Sequence, residues 1–176
     1  MKKAYIAGGI IAVIVTAVVV VIVVKNNSSA PSSGDVSRYK LYDACEMLTE
    51  QKASEALGTS ATHSDEAAPV SSDDLKVSSC TYNNGAGSVQ DIVSVSLLAR
   101  SPLTDVGAAS NRNGMEDGTI VGNTPVDGYG DKAVWNQDTG QLNVLKDNSW
   151  FILSYGGAQP NTRSLDDVKK LADKVF

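Results

Sequence analysis

The chain has 176 residues and a formal net charge of −5, from 20 acidic and 15 basic residues, with two cysteines and one histidine. An acidic chain argues against nucleic acid or anionic lipid headgroups as partners, because phosphate binding rests on Lys and Arg contacts. Two cysteines and one distant histidine also fall short of the four ligands of a structural zinc site, so neither a metal nor a cofactor is expected.

Residues 1–3 carry Lys2 and Lys3, and an uncharged run, Ala4–Val24, follows. As a helix at about 1.5 Å per residue this run reaches roughly 30 Å, the thickness of a bilayer's hydrocarbon core. It exceeds the apolar region of a secretory signal, about 7–15 residues. The nearest small-residue site, Ser28-Ser29-Ala30, is followed by Pro31, and no cysteine for lipidation sits just beyond the run. It reads as an uncleaved, single-pass anchor in the cell membrane. Lys2 and Lys3 against Lys25 alone place the N-terminus in the cytoplasm and the remainder outside. All 20 acids lie beyond residue 25, with twelve of the fifteen basic residues. Residues 25–38, rich in Asn, Ser, Pro and Gly, form a flexible linker. Residues 39–176 are then long enough for one extracytoplasmic domain with a real core.

Within that domain, Asp43 and Glu46 cap a first turn carrying Cys45, Met47 and Leu48. Thr49 then opens a helix that includes Ala53, Ala56 and Leu57 and stops at Gly58. Thr59–Asp74 is small, polar and acidic, and reads as a surface loop. Val77–Asn83 is a strand with Cys80 and Tyr82, ending at the turn dipeptide Asn84-Gly85. Ile92–Ala99 alternates Val93, Val95 and Leu97 with Ser94 and Ser96, as a half-buried strand does. Pro102–Met115 predicts a weak helix holding Leu103, Val106 and Ala109 and ended by Gly114, and residues 116–130 read as loop. Lys132–Gln137 supplies a strand with Ala133 and Trp135.

The strongest local pattern is a hairpin over Gln141–Tyr155 turning at Asp147-Asn148. A two-residue turn sets Val144 opposite Phe151, Leu142 opposite Leu153 and Leu145 opposite Trp150. A last helix, capped by Ser164 and Asp167, stripes Leu165, Val168, Leu171, Ala172 and Val175 along one side. Its acids open it and Lys169, Lys170 and Lys174 close it, as the helix dipole prefers. This order makes an α+β domain, an antiparallel sheet with helices on one face.

Cys45 and Cys80 are expected to bond in an oxidising compartment, two buried free thiols being the other reading. Three segments carry a family resemblance: Asp43-Ala-Cys-Glu-Met-Leu-Thr-Glu50 leading to Ala56-Leu57-Gly58, then Ser79-Cys80-Thr81-Tyr82, then Gly128-Tyr-Gly-Asp-Lys-Ala-Val-Trp135. Over most of residues 39–176 the chain resembles a family of secreted actinobacterial lipoprotein domains of unknown function. The resemblance implies an extracytoplasmic α+β domain with Cys45 bonded to Cys80, and it implies no activity. The departure is at the N-terminus, where a spanning run stands in place of that family's lipidated cysteine.

No residue set specifies a reaction. His63, beside Ser64 and Asp65, reads as a solvated loop residue, since triads are assembled across a fold and not from neighbours. Gly-x-Ser-x-Gly is absent. Gly128-Tyr129-Gly130-Asp131 matches the short motif of intramembrane aspartic proteases but lies in a polar loop, where its glycines permit a tight approach to a strand. Asp127 with Asp131, and Asp73 with Asp74, lack the spacing of a calcium loop. Trp135, Trp150, Phe151 and Tyr155 fit a core better than a ligand platform. The sequence therefore predicts a non-catalytic module of the cell envelope that binds an envelope protein or a small molecule. The alternatives are a structural subunit of a surface or secretion assembly, and an envelope hydrolase using paired carboxylates.

Overall fold

The computed structural model describes residues 38–64, 70–118, 122, 124–157 and 164–176. The expected anchor Ala4–Val24, and the linker up to residue 37, lie outside the described residues. Among the described residues no helix is long and apolar enough to cross a membrane.

The described residues open with two short helices, α1 (Ala44–Met47) and α2 (Glu50–Leu57), each started by a side-chain cap. The Asp43 carboxylate accepts from the Cys45 and Glu46 amides at 2.8 and 3.3 Å, and Thr49 Oγ1 accepts from the Lys52 amide. Gly58 ends α2 at φ 70°, a left-handed conformation that costs other residues free energy.

Among the described residues, eight antiparallel strands follow. They are β1 (Thr62–Ser64), β2 (Val70–Ser71), β3 (Leu75–Asn83), β4 (Val93–Pro102), β5 (Thr124–Pro125), β6 (Lys132–Asn136), β7 (Gln141–Lys146) and β8 (Ser149–Gly157). The order across the sheet is β1-β3-β4-β8-β7-β6-β5, with β2 also paired to β3. Helix α3 (Asp105–Glu116) joins β4 to the far half of the sheet, and α4 (Leu165–Val175) closes the domain.

The centre is β4 against β8, where Leu97 meets Leu153 and Ala99 meets Phe151. The expected hairpin register is present in full: Val144 opposes Phe151, Leu142 opposes Leu153 and Leu145 opposes Trp150. Its turn residues Asp147 and Asn148 sit at φ 51° and 62°. Both are left-handed, as a two-residue turn matched to strand twist requires, and Asp and Asn tolerate this best.

One sheet face carries Cys80, Tyr82, Val95, Leu97, Ala99, Leu142, Val144, Phe151 and Leu153 into the main core, against Leu48, Ala53, Val168, Leu171 and Ala172 of the helical layer. Each fully buried large apolar side chain there contributes roughly 1.5–3 kcal/mol. Helices α2 and α4 are further tied by Lys174 to Glu55 at 2.8 Å.

The expectation that all helices share one face is corrected by α3. Its Met115 packs with Val134 and Trp150, and with Leu145 and Ile152, in a second cluster on the opposite face. The buried stripe is Gly107, Ala108, Asn111 and Met115, while Val106 is 65% exposed, so the expected stripe of Leu103, Val106 and Ala109 is not the packed one. Beside Met115, small residues and one amide form the contact. An apolar-period reading passes over them because they contribute little hydrophobicity. Asn111 Nδ2 donates to the carbonyls of Arg100 and Asn148, both at 2.9 Å, which docks the helix by polar contacts.

The expected loop 59–74 also contains strands. Thr62–Ser64 pairs with Asn83–Thr81, and Val70–Ser71 with Val77–Lys76. Such short polar strands show no alternation of their own; the unpaired edge of β3 recruits them. At the opposite edge β5 is two residues, one of them proline, paired to Trp135 and Val134.

Candidate functional site

The segment before α1 is pinned across the sheet by backbone groups. The Tyr42 amide donates to Ser101 Oγ at 2.9 Å and the Ala44 amide to Ser78 Oγ at 3.0 Å; Ser78 Oγ in turn donates to the Tyr42 carbonyl. The Tyr42 ring stands edge-on to Phe151, with centroids 4.9 Å apart, and its hydroxyl donates to Asp147 Oδ2 at 2.7 Å. Burial, and then that bond, raise its pKa above the ordinary tyrosine value. Phe176 also stands edge-on to Phe151, centroids 5.3 Å apart.

Between this segment and the end of α4 lies an open groove of about 360 Å³. Leu41, Met47, Val175 and Phe176 supply apolar surface, and Lys40, Lys146, Asp43 and Glu46 line it with both signs of charge. Leu41 is 41% exposed. Lys40 Nζ lies 4.6 Å from the Tyr42 ring centroid and Lys146 Nζ 5.5 Å from that of Phe176, so each cation faces a π surface. The size falls in the range of small-molecule sites, roughly 300–1,000 Å³.

Helix α1 forms one wall, and the disulfide fastens it. Cys45 is bonded to Cys80 of β3, with Cα atoms 5.0 Å apart. Cys80 is 1% exposed and Cys45 half-buried. His63, on β1, lies opposite Tyr82 and packs edge-on to it, with centroids 5.0 Å apart. Its Nε2 is 3.7 Å from Cys80 Sγ. Nothing in Thr62-His63-Ser64 signals this contact; it follows from the register of an edge strand invisible in the sequence.

The other weighed residues occupy structural positions. Ser64 Oγ accepts from Asn83 Nδ2 at 2.8 Å, while the His63 ring turns to the disulfide; Asp65 lies outside the described residues. Gly128 and Gly130 adopt φ 95° and 57°, and a Cβ at Gly130 would meet the Leu145 carbonyl at 2.3 Å. Asp131 joins this turn to the hairpin, its amide donating to the Leu145 carbonyl and its carboxylate accepting from the Asp147 amide. Tyr129 donates to Asp173 Oδ1 at 2.6 Å, and burial, with that bond, pushes its pKa up to about 12. Asp74 accepts from Thr104 Oγ1 and from the Leu103 amide, which places it in the α3 junction, whereas Asp73 and Asp127 are exposed. Trp135, Trp150 and Phe151 are buried, and Tyr155 packs half-buried against the main core.

Among the described residues, two carboxyls are displaced downward. Lys170, with help from Ser164, lowers Asp167, and Lys174, with help from Gln51, lowers Glu55. Both shifts run opposite to what a general acid needs. No protein-family model, curated protein or solved structure matches the chain.

Proposed function

We propose that the chain is a non-catalytic binding module of the cell envelope. It is held by the single-pass anchor Ala4–Val24 with its C-terminal domain outside, and it takes a small molecule, or one or two side chains of a protein partner, in the groove beside α1. The observation that carries this reading is the groove itself: a cleft open to solvent, lined by apolar side chains together with Lys40, Lys146, Asp43 and Glu46, with one wall locked to β3 by a disulfide. A wall fixed before binding loses little conformational freedom on binding, which is where weak sites lose affinity.

The test is native mass spectrometry of the full-length chain in detergent, after incubation with envelope extract from its own host and re-purification without reductant. The expected result is a retained mass, protein or small molecule, that is lost when Leu41→Glu puts a charge into the groove. A wild-type chain that retains nothing, or a retained mass that survives Leu41→Glu and a second variant, Met47→Lys, overturns the proposal.

A further inference from the structure

We propose that Cys45, Cys80 and His63 form a concealed site for a thiophilic divalent ion such as Zn²⁺, closed while the cysteines are bonded and opened by a dithiol reductant. The sequence argues against a four-ligand metal site; the fold instead assembles three ligands from three separate elements, α1, β3 and β1. All three ligand atoms lie within 4.8 Å of one another.

The spacing fits coordination. Zn–S near 2.3 Å and Zn–N near 2.0–2.1 Å at tetrahedral angles put sulfur and nitrogen about 3.6 Å apart, and two sulfurs about 3.8 Å apart. His63 Nε2 already stands 3.7 Å from Cys80 Sγ. The two sulfurs must separate by roughly 1.7 Å from bonding distance, and Cys45 Sγ, which lies within 4.8 Å of the His63 ligand atom, must settle near the S–N spacing as well. The charges also fit. Two thiolates neutralise a divalent ion, so the loaded site adds no net charge beside the buried Cys80. His63 is exposed and Cys45 half-buried, which leaves an approach from solvent and a fourth position for water.

Opening and loading balance as follows. One thiolate of the dithiol attacks a sulfur of the Cys45–Cys80 bond, and its second thiol resolves the mixed disulfide. The dithiol is oxidised to its own disulfide, and Cys45 and Cys80 emerge as thiols. Zn²⁺ then displaces their two protons and takes the neutral His63 ring through Nε2.

The experiment uses the full-length chain in detergent, reduced with a phosphine, with Co²⁺ as the spectroscopic probe and Zn²⁺ as competitor. The expected result is one Co²⁺ per reduced chain, with a thiolate-to-cobalt absorption band that Zn²⁺ abolishes, and no such band from the oxidised chain. Loss of an outer-shell partner of a ligand weakens metal sites by 10–100-fold, so loss of a ligand itself, in His63→Ala, is expected to weaken binding by roughly tenfold or more. His63 is exposed, so this variant should keep the tryptophan near-ultraviolet circular dichroism of the wild type. The proposal is overturned by a reduced wild type that gives no thiolate band, or by His63→Ala binding as tightly as wild type. A band that forms only in a chain that has lost its tryptophan signal overturns it as well, since the metal is then held by unfolded thiols.

Discussion

Gly114→Ala sets two opposed effects against each other at one atom. Residue 114 lies inside α3, where alanine is favoured over glycine by roughly 1 kcal/mol through helix propensity alone. The added Cβ, however, would stand 2.5 Å from Trp150 Cζ3 and 3.2 Å from Cε3. That ring cannot simply swing aside. It is 3% exposed, its Nε1 donates to Asn143 Oδ1 at 3.0 Å, and the Arg100 guanidinium lies 4.8 Å from its centroid on β4. Overpacking of a restrained core contact costs typically about 1–3 kcal/mol. The clash therefore wins, with a net destabilisation of about 1 kcal/mol, or a few degrees in melting temperature. The assay is urea denaturation followed by tryptophan fluorescence, run as a double-mutant cycle with Trp150→Phe, for which Trp135 remains the probe. In the Trp150→Phe background the smaller ring frees the space, so Gly114→Ala is expected to become neutral or stabilising, with a coupling of at least about 1 kcal/mol. A stabilising Gly114→Ala in the wild type, or a coupling near zero, would refute the reasoning.

Opening the Cys45–Cys80 bond, which closes a sequence separation of 35, is expected to cost roughly 4 kcal/mol on the chain-entropy model; paired urea titrations with and without a phosphine measure it. Asn111→Ala strands the carbonyls of Arg100 and Asn148 and is predicted to cost about 2–3 kcal/mol, whereas Val106→Ala on the exposed side of α3 should stay within about 0.5 kcal/mol. Thermal melts of the two variants must therefore separate clearly. Tyr129 has a folded pKa of about 12 against an ordinary 10.0, so its contribution is complete below pH 10 and is lost as pH rises from 10 to 12. Tyr129→Phe should flatten the alkaline limb of the stability curve over that window, and an unchanged slope would contradict the assignment. Asp167 has the opposite sign: its carboxyl is lowered from 3.8, so its contribution is present above that value and is lost on further acidification, and Asp167→Asn should flatten the acid limb in the same titration.

What the sequence revealed depended on whether an element carried its own signal. The hairpin 141–155 was legible to the residue, because alternating apolar residues and an Asp-Asn turn specify both register and facing. The caps at Asp43, Thr49 and Ser164 were legible for a similar reason: one side-chain oxygen at a helix start has one amide to meet. The placement of α3 was not. Apart from Met115, its contact face is built from Gly107, Ala108 and Asn111, so shape and hydrogen bonding decide most of the packing where hydropathy says little. The candidate site was legible in only one part, the Cys45–Cys80 pair. Its groove depends on where residues 40–47 and 175–176 meet after folding, and the position of His63 depends on a three-residue edge strand.

The way the sheet ends has a consequence for crowded copies of this chain. An exposed ladder of amides and carbonyls invites another molecule to add a strand, and this is how native sheets begin to aggregate. Here the outer edge of β3 meets β1 at residues 81–83 and β2 at residues 76–77, leaving a gap of only three residues between them. The far edge closes on a two-residue strand whose proline has no amide hydrogen to offer. Along these described edges an incoming strand finds no long run of free donors and acceptors, so the sheet is poorly suited to template its own polymerisation. Deleting residues 62–64 would bare residues 81–83 of β3 and is expected to raise the tendency of the sheet to add a strand from another copy.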